Sequence, residues 1–146
     1  MEKKDLIKLL DEIFIPLGFK RKGNSWVKNE DILSKLINLQ KSNYGNFFYI
    51  NYGFIIKGLV LTTTNHVGNR LAANNNVKQK RITDLLDFDT DIPKDQRLSE
   101  LKRIINDKIV IKIQSINNEE DLLGELKERS HLNDIPLIVK SHFNLE

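Results

Sequence analysis

One run of alternating residues, between positions 47 and 57, constrains the fold of this chain more than any other feature. Its even-numbered positions carry only apolar side chains, and its odd-numbered positions are mixed; the apolar set is Phe48, Ile50, Tyr52, Phe54 and Ile56. Because successive side chains of a strand point to opposite faces, this pattern predicts a strand with one buried face. The rest of the chain must supply a second layer that covers that face.

Two further strand-like runs precede this strand and are joined to it by short connections. Residues 20–28 surround a turn signal at Gly23 and Asn24, and residues 32–41 lead into a hairpin turn at residues 42–46. Short connections between neighbouring strands favour antiparallel pairing. Residues 59–64 are also β-prone, and residues 77–82 are a candidate for a further strand.

Helical periodicity characterises both ends of the chain. Near the N terminus, Pro16 and Gly18 favour the end of a helix whose apolar residues are Leu6, Leu9, Leu10, Ile13, Phe14 and Leu17. Residues 84–91 form an acidic connector, and apolar residues then recur at helical spacing from position 98 to position 116. The β-branched run at residues 109–113 argues for a strand, but the unbroken stripe favours a helix. Asn117 or Asn118 is predicted to cap a last helix.

These segments predict one α+β domain over residues 1–146. An antiparallel sheet of about four to five strands is covered on one face by an N-terminal helix and C-terminal helices. The chain has no cysteine, so disulfides and thiolate chemistry are excluded. Its opening residues do not resemble a signal peptide, and no apolar run approaches the roughly 18 residues that a membrane helix needs. We therefore expect a cytoplasmic protein that does not interact with membranes.

Several segments resemble a known family. Residues 17–24 (LGFKRKGN), followed by Trp26, resemble the opening of the domain-of-unknown-function family 4304. Residues 37–42 (INLQKS) and 48–53 (FYINYG) are similar to the paired central strands of that family. The resemblance implies an α+β fold and a mostly bacterial source, and it assigns no catalytic residues. Small bacterial domains of this kind often accompany toxins as immunity proteins, and this role extends to the present chain by analogy.

A search for catalytic and metal-binding motifs favours a non-enzymatic function. The sequence lacks a Walker P-loop and the GxGxxG pattern of dinucleotide-binding proteins. Residues 87–91 (DFDTD) begin like a calcium loop, but Ile92 stands where glycine is required and Leu98 where a bidentate Glu is required. The three histidines are not spaced as metal ligands. We expect no cofactor or metal, although catalytic groups that meet only in the fold stay as an alternative.

The charges are distributed unevenly along the chain. Residues 32–83 contain seven Lys or Arg and no Asp or Glu, whereas residues 84–146 contain nine basic and fourteen acidic residues. If this separation persists in space, the molecule has a basic and an acidic pole. A lysine-rich sheet surface that is simply solvated is the competing explanation.

The expected function is protein binding, as an immunity-type inhibitor of a bacterial toxin, because charge complementarity speeds and selects association. The acidic pole suits a basic nuclease toxin, and the basic pole suits an acidic partner. The alternative is nucleic-acid binding through the basic sheet region at residues 32–83, whose cations would contact phosphates. The predicted partner-binding residues are Lys35, Lys41, Tyr44, Tyr49, Arg70, Lys78, Lys80, Arg81, Asp87, Asp89 and Asp91.

Overall fold

The computed structural model describes residues 1–145, which form a five-stranded antiparallel sheet and six α-helices. The elements are α1 (Lys3–Phe14), β1 (Lys20–Lys22), β2 (Ser25–Asn29), β3 (Leu33–Lys41), β4 (Phe48–Ile56), β5 (Val67–Arg70), α2 (Asn76–Leu86), α3 (Lys94–Ile105), α4 (Ile111–Ser115), α5 (Glu119–Lys127) and α6 (Leu137–His142). The strands lie side by side in chain order. The predicted α+β fold with an antiparallel sheet is confirmed. Glu146, which is counted among the acidic residues above, lies outside the described residues.

The long hairpin of β3 and β4 is the centre of the sheet. Its register pairs Leu33 with Ile56 at one end and Lys41 with Phe48 at the other. One face of the sheet, which we call the covered face, carries the apolar alternation of β4, and those five side chains are buried. We call the opposite face the open face; it carries Ser25, Val27, Ser34, Leu36, Asn38, Gln40, Tyr49, Asn51, Gly53, Ile55, Gly68 and Arg70.

The N-terminal helix packs on the covered face as its periodicity predicts. The apolar residues of α1 belong to the same core cluster as those of β4. The indole Nε1–H of Trp26, a fully buried residue on β2, donates to Asp11 Oδ1 on α1 (2.9 Å) and so fixes the helix against the sheet. Gly18 ends the turn after α1 with a φ of 96°, a left-handed conformation that favours glycine.

Two segments that were candidates for strands, one β-prone and one a possible further strand, do not form strands. Residues 59–64 form a loop, and the fifth strand is β5, which follows that loop. Residues 77–82 lie in α2, where Asn75 caps the helix by accepting a hydrogen bond from the Lys78 N–H (2.9 Å). The buried residues of α2 are Ile82, Leu85 and Leu86, which follow helical spacing. The acidic connector is also shorter than predicted, because α2 continues to Leu86.

The helical prediction for the C-terminal half is confirmed. Residues 109–113 continue α3 through a π-helical turn (Asn106–Val110) into α4, and Ile109 and Ile113 are buried. Asn118 is the residue that caps α5, since its side chain accepts from the Asp121 N–H (2.8 Å). A further short helix, α6, follows α5. Among residues 1–145, the structure has no helix with the length and apolarity to cross a membrane.

Candidate functional site

The structure brings three of the predicted partner-binding residues to one end of the molecule. Tyr44 lies at the tip of the β3–β4 hairpin and is 93% exposed. Asp89 and Asp91 are exposed on the loop between α2 and α3. The Asn46 side-chain amide donates to Asp89 Oδ1 (3.3 Å), and the Phe88 N–H donates to the Asn46 carbonyl (2.9 Å). We call Tyr44, Asp89 and Asp91 the hairpin-tip surface.

The acidic loop beneath this surface is held in place by a buried arginine. The guanidinium of Arg97 on α3 is 2% exposed and donates to the main-chain carbonyls of Leu85 (2.7 Å), Asp87 (2.9 Å) and Thr90 (2.9 Å). Burial lowers the pKa of Arg97, and the neighbouring Asp87 opposes that effect. These bonds satisfy carbonyls at the end of α2 and in the loop. They therefore stabilise the conformation of the loop that carries Asp89 and Asp91.

Asp87 differs from the other two predicted loop carboxylates. It is half-buried, and its Oδ1 accepts a hydrogen bond from the Asp89 N–H (3.0 Å). Its main chain also bridges to Phe47, next to the turn at the tip of the hairpin. Asp87 therefore shapes the loop, whereas Asp89 and Asp91 display their charges. Within residues 1–145, neither Asp89 nor Asp91 takes part in an ion pair.

One predicted binding residue, Lys35, is corrected by the structure. It lies on the covered face of β3, is 3% exposed, and forms an ion pair with Glu30 (2.9 Å). Its ammonium also donates to Asn117 Oδ1 (2.8 Å), which ties the strand to the C-terminal helical segment. Lys35 is thus part of the interior. The strand alternation puts Lys35 on the same face as the apolar Leu33 and Ile37. Nothing in the sequence nearby, however, predicts that a lysine at this position is buried.

The basic residues of α2 lie in a different setting from the one predicted. Lys78, Lys80 and Arg81 are on a helix rather than on a sheet. Lys80 pairs with Asp84 (2.9 Å), and Arg81 pairs with Glu100 on α3, which raises the pKa of Arg81. Together with Lys35 and Glu30, three of the seven cations of residues 32–83 are ion-paired. The predicted spatial separation of charge is therefore wrong at these positions, because α2 and α3 place Asp84 and Glu100 beside Lys80 and Arg81, and the β2–β3 connection places Glu30 beside Lys35.

The open face carries a polar network that contains two more predicted residues, Tyr49 and Arg70. The Arg70 guanidinium lies over the Tyr49 ring, 3.8 Å from Cζ to the ring centroid. Its Nε–H donates to Asn51 Oδ1 (3.0 Å), and Nη2 donates to Gln40 Oε1 (3.1 Å). The Asn51 amide donates in turn to Gln40 Oε1 (2.9 Å). Lys41, the remaining predicted residue, is exposed at the end of β3 beside this network.

Sequence reasoning missed the amides of this network. Cross-strand register places Ser25, Asn38, Asn51 and Arg70 in one row across four strands. Asn38 donates to Ser25 Oγ (3.0 Å), so the row is continuous in hydrogen bonds as well as in position. The polar residues at alternate positions of β3 and β4 could have indicated this row from the sequence. Arg70 joins the row only through the register of β5, which the sequence did not predict.

Within residues 1–145, no cluster of three or more His, Asp or Glu side chains has the arrangement of a metal site.

A match to a family model relates this chain to known proteins. No curated protein and no solved structure matches the chain. A family model described as a domain of unknown function (DUF4304) matches residues 10–115, which span α1 to α4 and more than half of the sequence. This confirms the resemblance seen in the first strands, and the chain belongs to the DUF4304 family.

Proposed function

We propose that this chain is a non-enzymatic protein-binding domain, an immunity-type inhibitor that docks a basic bacterial toxin on its hairpin-tip surface. The observation that carries the proposal is that Tyr44, 93% exposed, lies on the same turn as Asn46, which contacts the loop that carries the exposed Asp89 and Asp91. A tyrosine so exposed contributes little to folding. Tyrosine is, however, enriched among residues that dominate binding energy at protein interfaces.

The two exposed carboxylates of the hairpin-tip surface favour a basic partner, whereas the exposed Lys41 at the end of β3 does not contribute to this preference. Asp89 and Asp91 lie on the adjoining loop and have no ion-pair partner within residues 1–145. Exposed carboxylates at the rim of an interface speed the approach of a cationic protein and reject anionic ones. A basic nuclease is the toxin class that fits this chemistry best, because nucleases need positive charge to bind phosphates.

The test is co-expression with the toxin-like product of a neighbouring gene. We expect the wild-type chain to protect cells and to bind the purified toxin in calorimetric titration. The variant Tyr44→Ala/Asp89→Asn/Asp91→Asn should weaken binding by more than about 100-fold, since single interface anchors contribute about 2 kcal/mol or more.

A matched control alters exposed residues elsewhere on the chain. Val77 is 81% exposed on α2, and Glu120 and Glu128 are exposed on and just after α5. The variant Val77→Ala/Glu120→Gln/Glu128→Gln makes equivalent chemical changes and should bind like wild type. Absence of binding and protection with every neighbouring gene product, or equal loss in both variants, would refute the proposal.

Nucleic-acid binding is a second candidate, favoured by one groove. A cavity of about 210 Å³ between α2 and α3 is lined by Lys78, Arg81, Arg103 and Lys108. Four cations around one groove suit a phosphate backbone. Glu100 neutralises Arg81, however, and Asp107 lies 3.9 Å from Arg103, so Lys78 and Lys108 are the better-placed contacts.

Gel-shift measurements separate the two candidates. Nucleic-acid binding requires a shift of single-stranded or duplex oligonucleotides at about 50 mM salt, and a Lys78→Gln/Lys108→Gln variant should weaken it. The protein-binding proposal predicts no shift under these conditions and full toxin binding by the same variant. A shift that is lost with the two lysines would favour the nucleic-acid candidate instead.

A further inference from the structure

The open face contains a groove that the proposed function does not use. Its volume is about 530 Å³, and it is lined by side chains of β2 to β5 and of two loops. Most of the lining is uncharged and polar; the principal residues are Ser25, Asn38, Asn51, Asn65, Asn69 and Arg70. This volume falls within the range of about 300–1,000 Å³ that is typical of small-molecule sites. The lining is more polar than in most such sites, which favours a polar ligand.

Arg70 is the cation of this groove, and three neutral side chains contact it. Its side chain rests on the Tyr49 ring at 3.8 Å, and two amide oxygens accept from Nε and Nη2 at 3.0 and 3.1 Å. Gln40 and Asn51 are themselves joined by a hydrogen bond (2.9 Å). Every one of these partners is neutral. These contacts favour one orientation of the exposed Arg70 side chain, and none of them neutralises its charge.

The charge of Arg70 is not neutralised by the rest of the described chain. Within residues 1–145, no carboxylate lies within 4.0 Å of its nitrogens. Asp134, which also lines the groove, instead pairs with Arg129 (3.4 Å). A guanidinium has five N–H donors, and the amides of the network use one on Nε and one on Nη2. The edge formed by the two Nη groups is left to a ligand.

We propose that this groove binds a small polar ligand through an oxyanion, a carboxylate or a phosphate, held by the Nη edge of Arg70. Planar, bidentate contact with such oxygens is the interaction that arginine makes best. Pre-orientation by Tyr49, Gln40 and Asn51 reduces the entropy lost when the anion binds. The neighbouring amide of Asn38, in the same cross-strand row as Arg70, is available to an uncharged polar group of the same ligand. This site uses none of the residues of the hairpin-tip surface.

The test uses the whole chain, labelled with ¹⁵N, in NMR titrations with sodium phosphate and, separately, with sodium acetate at constant ionic strength. We expect saturable shifts of the Arg70 Nε–H signal and of the Gln40 and Asn51 side-chain amide signals. Shifts with acetate alone assign a carboxylate ligand, and shifts with phosphate alone assign a phosphate ligand. Shifts with both support the shared oxyanion chemistry.

Three variants complete the experiment. Arg70→Gln should weaken the affinity for the anion by about tenfold or more, because it removes a charge-assisted bidentate contact. Arg70→Lys keeps the charge without the planar edge and should weaken it less. Arg21→Gln removes an exposed arginine on β1, which pairs with Asp11 on α1 and lies outside the groove, and should leave the shifts unchanged. Absence of saturable shifts with either anion, or equal shifts in wild type and a folded Arg70→Gln, would overturn the proposal.

Discussion

The covered and open faces of the sheet share the same strands but differ in chemistry. On β4, the covered face has five buried residues with large apolar side chains, whereas the open face carries Tyr49 and Asn51 in a hydrogen-bonded polar network with Arg70. Apolar burial drives folding, while exposed polar contacts add little net stability. The difference indicates that the covered face maintains the fold, and the open face is where we propose that a ligand binds.

The largest expected effect is on the covered face. Phe54 is fully buried at the centre of β4. Phe54→Ala should lower the free energy of unfolding by about 3–5 kcal/mol, because it removes apolar contacts and leaves a cavity. Urea denaturation followed by circular dichroism measures this change. A loss below about 1 kcal/mol would mean that the covered face is not the main source of stability.

Two glycines test whether the open face tolerates change everywhere. A Cβ on Gly53 would lie 2.7 Å from the Val67 main-chain oxygen, whereas a Cβ on Gly68 would lie 2.8 Å from Asn65 Oδ1. Main chain between paired strands cannot move aside, but a side chain can. Gly53→Ala should therefore cost about 1–3 kcal/mol of unfolding free energy, and Gly68→Ala clearly less. The reverse order in thermal and urea denaturation would contradict this account of the β4–β5 pairing.

Lys35 is the exception on the covered face, and its replacement sharpens the comparison. Lys35 is 3% exposed, so the ammonium that pairs with Glu30 is buried. Lys35→Met removes the cation beside the buried Glu30 Oε1 and the donor to Asn117 Oδ1, so it should lower the free energy of unfolding by about 1–3 kcal/mol. Lys35→Ala, which also removes the apolar stem, should be the less stable of the two. A loss below about 0.5 kcal/mol for Lys35→Met would show that Glu30 does not depend on this partner.

The smallest expected effect on stability concerns the ion pair between Asp5 on α1 and Lys94 on α3. The pKa of Asp5 is lowered by its hydrogen bond to the Glu2 main chain and by Lys94, whose ammonium lies 2.9 Å away. A lowered carboxyl pKa stabilises the fold at neutral pH, and this contribution is lost as the pH falls through the folded-state pKa. Wild type should therefore exceed Asp5→Asn in urea midpoint at about pH 7, and the difference should shrink below about pH 4. A constant difference across this range would show that the carboxylate charge is not the cause.

The parts of the fold that follow local pattern are the parts that the sequence predicts. The alternation of β4 and the helical stripe through Ile109 and Ile113 identify their elements correctly. The α2 helix was predicted as a strand because its Val and Ile residues are β-prone, although Val77 is 81% exposed and Asn75 is a capping residue. The β5 strand escaped prediction because Gly68 and Asn69 are poor strand formers, and it forms by pairing with β4.

The candidate sites depend on contacts that are distant in sequence. Tyr44, Asp89 and Asp91 were each predicted individually, but the link between Asn46 and Asp89 spans 43 positions. Arg70 reaches Gln40 across 30 positions. No local periodicity encodes such pairs, because they follow from strand register and from how α2 packs against the sheet. The sequence therefore identifies candidate residues, but only the tertiary structure shows which of them lie together.

The most direct test of the distinction between structural and recognition surfaces is one stability measurement. The variant Tyr44→Ala/Arg70→Gln/Asp89→Asn/Asp91→Asn changes both candidate binding surfaces and leaves the core cluster intact. Its free energy of unfolding in urea should lie within about 2 kcal/mol of wild type, since single surface changes cost about 0.5 kcal/mol or less. A loss as large as that of Phe54→Ala would contradict the account, because these residues would then be needed for the fold itself.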